Sequence, residues 1–182
     1  MTVGALAWGR RSALYRPPTF SADPASVRLG QARAARVSEV TQLTAAATAA
    51  AGLIELTSPR FAKQIRDVHT LTSRAIARFL ITGQGTTESE RNFISSVGIF
   101  AARHGLSLAI LSRSYLVWRD ANLRVVNEEI NRLAIGQTVS TLARKIIRSS
   151  ADTGLGRMAR AYEYQRCLAV PSEHSMEPAV LR

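Results

Sequence analysis

The residues able to do chemistry are few, and their spacing assembles none of the familiar sites. The histidines are His69, His104 and His174, and no Cys, Asp or Glu stands around them at metal-ligand spacing. His69 follows Val68 on a helical stretch, where an imidazole could serve a heme, but the pattern favours a surface or core-edge imidazole. Cys167 is the single cysteine, so no internal disulfide forms, and with no His or Asp nearby it reads as a passive thiol. Glu128 and Glu129 are adjacent, so on a helix they diverge and cannot share one proton as an acid/base pair. Gly83-Gln84-Gly85 lacks the third glycine and the preceding strand of a phosphate loop, and it reads as a helix terminator. HExxH and GxSxG are absent, and no serine has a recognisable His-Asp context. The expectation is a protein that is not an enzyme, with no catalytic residues, no metal ligands and no cofactor.

The elements that would hold any site are helical. In 182 residues, 46% are hydrophobic and only 6% aromatic, and the abundant Ala, Leu and Arg are good helix formers. No stretch alternates apolar and polar residues as a half-buried strand does. The formal net charge is +11, from 24 Lys+Arg against 13 Asp+Glu. Such an excess attracts phosphate backbones or anionic surfaces, yet the arginines are spread along the chain, as on a solvated basic surface. Arg10-Arg11 lacks the apolar run of a secretory signal, and Ala45 to Leu56 is too short and too Thr-interrupted to span a bilayer. The acid-free, Arg-rich start faintly resembles a transit peptide, although an irregular bacterial N-terminus accounts for it as well. A cytoplasmic protein without a membrane partner is expected.

Residues 1–30, with Pro17-Pro18 and Asp23-Pro24, read as an irregular basic leader, in which Trp8, Leu14, Tyr15 and Phe20 have no evident docking place. Residues 31–166 form the helical domain and 167–182 a flexible tail. From Gln31 to Leu56 the composition is helical, with Val37, Val40 and Leu43 apolar. Ser58-Pro59 starts a second helix, Ser as cap and Pro where a missing N–H costs nothing. Phe61, Ile65, Val68, Thr72, Ile76 and Phe79-Leu80 line one face, and Lys63, Arg66, Arg74 and Arg78 the other. Thr87 and Glu90 make a capping box for a third helix, which Gly105 ends in a left-handed residue. Ser107 caps the longest apolar helix, with Leu108, Leu111, Tyr115, Trp118, Val125 or Val126, Ile130 and Leu133 as core stripe. Gly136 is expected to break it. The last helix carries Val139, Leu142, Ile146-Ile147, Met158 and Tyr162, with a kink or short loop expected over Ser149 to Gly156.

Ala102-Arg103-His104-Gly105-Leu106-Ser107-Leu108, continuing through Tyr115 to Trp118, resembles the central motif of RsbR-type (RsbT co-antagonist) N-terminal sensor domains. That pattern is a small residue and Arg, then Gly, a Leu three positions later and an aromatic further along the helix. Similar domains precede PucR-type regulators and some diguanylate cyclases. Met158-Ala159-Arg160-Ala161-Tyr162 with Arg166 resembles the closing helix of the family, and the likeness spans about Leu53 to Arg166. The resemblance implies an all-α, globin-like bundle, usually without heme, that dimerises and passes signals to an output module; no recognisable output domain follows Arg166. Its structural positions map to Arg103, Gly105, Leu108, Tyr115, Trp118 and Tyr162.

The expected function is therefore a non-enzymatic signal-input module, a homodimer acting on an output domain or partner protein. Ile110, Leu116 and Val117 give the long helix a second apolar face, the candidate dimer surface. The alternative is a helical DNA-binding regulator, which the net charge favours and the lack of a helix-turn-helix pair disfavours. A heme-binding globin is a third reading.

Overall fold

In the computed structural model, which describes residues 23–169, the Asp23 carboxylate accepts the Ala25 amide at 2.8 Å and opens helix α1, Pro24–Ala35. Asp23-Pro24 is thus a helix start, capping side chain followed by proline at the first turn. The helical part begins inside the segment read as leader, with Ser26, Leu29 and Gly30 already buried. Trp8, Leu14, Tyr15 and Phe20 lie outside the described residues.

The stretch from Gln31 to Leu56 is three elements: the end of α1, helix α2 (Val37–Ala50) and a 3₁₀ turn (Ile54–Thr57). Arg36 sits at the break between α1 and α2, its guanidinium held by Glu39 at 2.5 Å, Glu128 at 2.6 Å and Glu129 at 2.9 Å. Helices α3 (Pro59–Thr82), α4 (Glu88–Arg103), α5 (Leu108–Arg132) and α6 (Gln137–Ala169) follow. The described residues contain no strand, and the all-α expectation holds. The Thr87–Glu90 capping box and the Ser107 cap are formed, and α3 starts at Ser58-Pro59 as expected, but the Ser58 hydroxyl donates to the Glu55 carbonyl and caps no amide.

Three of the joints share one device. A left-handed residue follows the helix, and the next residue, apolar and buried, returns its amide to a carbonyl five positions back. Gly52 with Leu53→Thr48, Gly105 with Leu106→Ala101 and Ala134 with Ile135→Ile130 repeat it. The third corrects the expected break: the left-handed residue is Ala134, at φ 49°, and not Gly136. A Cβ in that region costs roughly 1 kcal/mol. Ala134→Gly should therefore raise stability in urea by about 0.5–1 kcal/mol, and Gly105→Val should lower it by at least ~1 kcal/mol.

Pairings between helices set the topology. Ser26 Oγ donates to Leu80 O, and Arg33 reaches Ser73 O, so α1 runs antiparallel to α3. Phe61 meets Phe100 edge-on at 5.7 Å and Arg78 pairs with Glu90 at 2.6 Å, so α3 and α4 are also antiparallel. Gly98 lies on Met158 and Arg103 bonds Gln165, which makes α4 and α6 parallel neighbours. Antiparallel α5 completes that layer, with Tyr115 against Gly154 and Asn127 bonded to Arg144. No loop interrupts Ser149 to Gly156, where a kink or short loop is expected: α6 is continuous for 33 residues. Ala151 and Gly154 are buried in its packed face, and that packing holds a sequence of low helix propensity in place. Residues 167–169, read as tail, are its last turn.

Candidate functional site

The centre of the bundle is polar. Trp118 on α5 is fully buried, and its indole N–H donates to His69 O at 3.1 Å and Ser73 Oγ at 3.0 Å. The Asn122 amide returns to Trp118 O at 2.8 Å. Arg33 enters from α1 with no exposed surface, donating to Ser73 O and Asn122 Oδ1. No carboxylate pairs with Arg33 among the described residues, and burial lowers its pKa to about 9, so it remains a cation at neutral pH. A lone buried guanidinium is costly, and the neutral oxygens around it offset part of that cost. Nothing in the composition distinguishes Arg33 from the surface arginines. Its one signal is a position on the buried face of a helix that the sequence left half in the leader.

His69 corrects the expectation of a surface or core-edge imidazole: it is 2% exposed. Its ring stacks on Trp118 (5.8 Å, 18°) and meets Tyr115 edge-on (5.3 Å). Burial depresses its pKa to about 3, and its Nε2 has no hydrogen-bond partner. Tyr115 is 1% exposed and desolvation pushes its phenol up to about 12; the hydroxyl is 3.4 Å from Thr72 Oγ1. These side chains come from α1, α3 and α5 and lock the helices together. A cavity of about 250 Å³ borders His69 between α2 and α3, lined also by Thr44, Thr48 and Ile65.

Of the positions named from the motif, Tyr115 and Trp118 belong to this polar centre, and the others lie towards the end of the bundle where α4 turns into α5. Gly105 is left-handed, at φ 73°. Arg103 is exposed and donates from Nε to Gln165 Oε1 at 3.1 Å, tying α4 to the end of α6. Leu108 is half-buried against the core, and Tyr162 is 8% exposed. Of the candidate dimer face, Leu116 is 42% exposed, Val117 is half-buried, and Ile110 packs partly on the core of its own chain. Tyr164 (65%) and Leu168 (62%), one turn apart near the end of α6, are more open and were not singled out from the sequence.

Glu128 and Glu129 do diverge, one 43% and the other 4% exposed at the side chain, yet both reach Arg36. Hydrogen bonds lower both carboxyl pKa values, from Arg36 and then Arg124 at Glu128, and from Arg132 and then Arg36 at Glu129. They form a clamp that joins the α1–α2 corner to α5.

A second cavity, of about 430 Å³, opens between α3, the loop before α4, and α6. Ile76, Phe79, Ile94, Leu142 and Ile146 line it, with Lys145 and Arg157 among its residues. No group of three potential metal-ligating side chains occurs among the described residues, and no helix there is long and apolar enough to cross a membrane. The chain matches no protein-family model, and no curated protein or solved structure is significantly similar to it.

Proposed function

We propose that the chain is a non-enzymatic signal-input and interaction module of a bacterial regulatory system, globin-like in arrangement, working as a homodimer coupled to an output partner. The observation that supports it best is the set of large apolar side chains left open on two helices, Leu116 on α5 and Tyr164 and Leu168 on α6. Isolated exposed apolar residues are ordinary. Tyr164 and Leu168 instead share one face near the end of a helix about 50 Å long, a suitable place to engage a neighbour. A two-fold dimer through α5 would set Leu116 near its own copy. The polar residues of the core fit this reading, because their hydrogen bonds run between helices and hold a rigid frame.

Light scattering at micromolar concentration tests it. A dimeric mass is expected, reduced to the monomer in Leu116→Glu with helical circular dichroism unchanged. A wild-type monomer contradicts the dimer. The exposed Arg66 and Arg74 on α3 favour a second reading, nucleic-acid binding, which a salt-dependent mobility shift would reveal.

A further inference from the structure

We propose that the cavity between α3, α4 and α6 is a binding site for an amphiphilic organic anion, a monocarboxylate with an apolar chain as its body. The cavity of about 430 Å³ has the size of small-molecule sites. Its walls are of two kinds. Ile76, Phe79, Ile94 and Leu142 supply apolar surface, and along α6 the hydroxyls of Ser149, Ser150 and Thr153 lie between the cations Lys145 and Arg157.

No acidic side chain lines the cavity. Asp152, the nearest carboxylate along α6, borders Lys145 on the adjoining surface and not in the cavity. Arg78 is bound to Glu90 at 2.6 Å and to Gly85 O at 2.9 Å. Lys145 and Arg157, in contrast, form no ion pair with any described residue. An anionic head would complete either cation, and the apolar chain would bury in water's place. Twelve residues separate the two cations on α6, about 18 Å of helix, so they mark the two ends of a slot parallel to α6. Such a slot suits an extended chain better than a compact anion.

The site gives the input reading a class of signal, and it rests on that reading only for the use made of binding. Calorimetry with decanoate, below its micellar range, tests it on the full chain. Saturable binding of one decanoate is expected, with decanol at least tenfold weaker. The double variant Lys145→Gln/Arg157→Gln and the slot-filling Ile146→Trp should each lose at least tenfold in affinity, with helical circular dichroism unchanged. Lys63→Gln, at an exposed lysine away from the slot, should bind as the wild type does. Equal binding to wild type and Ile146→Trp, or an equal loss in Lys63→Gln, would overturn the proposal as mere attraction of an anion to a basic protein. The dimer measurement is independent of these results, so failure here leaves the interaction reading standing.

Discussion

Acidification from pH 6.5 to 5 should remove about 2 kcal/mol of stability, and His69→Phe should abolish most of that loss. His69 has a folded pKa of about 3 against an ordinary value of 6.5. Between those limits the unfolded chain takes up a proton that the folded chain refuses. Stability therefore falls as pH drops, by roughly 1.4 kcal/mol per pH unit. The carboxylates of Glu39, Glu90, Glu128 and Glu129 are held below their usual value, so their contribution is lost mainly below pH 4.5. Arg33, joined to the same network through Ser73, stays charged throughout this window. Phenylalanine keeps the stacking on Trp118, and the residue 69 carbonyl that accepts the Trp118 indole N–H belongs to the backbone and survives the substitution. Urea titrations at several pH values give the slope directly. An unchanged slope in His69→Phe would place the acid sensitivity elsewhere.

The second large effect is at Gly98, where a methyl group should destabilise by about 3 kcal/mol or more. Alanine inside a helix ordinarily gains about 1 kcal/mol over glycine. Here an added Cβ would lie 2.2 Å from Met158 O and 2.9 Å from Met158 C, backbone atoms that cannot step aside. Helices α4 and α6 would have to separate, and strain of that kind exceeds the propensity gain. Gly156 on α6 is the matched control. Its added Cβ would meet only the flexible Arg160 Nη1 at 3.5 Å, so Gly156→Ala should stabilise by about 0.5–1 kcal/mol. The melting temperature should fall by about 6 °C or more in the first variant and rise by a few degrees in the second. Two glycines in helices then have opposite signs, decided by one backbone contact.

That contrast also shows what can be read along the chain and what cannot. Helix ends marked by local chemistry were legible: the Ser58-Pro59 start, the Thr87–Glu90 box, and the Gly83 and Gly105 stops. Each works within a few residues, so the sequence contains the whole cause. The Ala134 closure was not legible, because the same turn is made there by a residue without the usual preference, held by the buried Ile135. The continuity of α6 through Ser149 to Gly156 has the same origin, since tertiary packing of Ala151 and Gly154 outweighs local propensity. The polar centre was only partly visible. Tyr115 and Trp118 were expected in the core from their place on the apolar stripe, and they are there. His69 and Arg33 were not, since burying an imidazole without a partner or a guanidinium without a carboxylate runs against the ordinary cost of desolvation. The cavities depend on how helices distant in sequence meet, and no local signal encodes that.

The central claim is that the chain works through contact with its own copy along α5, and cysteine cross-linking at position 116 tests it most directly. In a Cys167→Ser background, Leu116→Cys places one thiol on the proposed dyad, and Lys63→Cys places one at a more exposed position on α3 as the comparison. Under mild oxidation at micromolar concentration, Leu116→Cys should form a disulfide-linked dimer rapidly and nearly completely, and Lys63→Cys only slowly. Equal, slow cross-linking of the two variants would contradict a dimer built on α5.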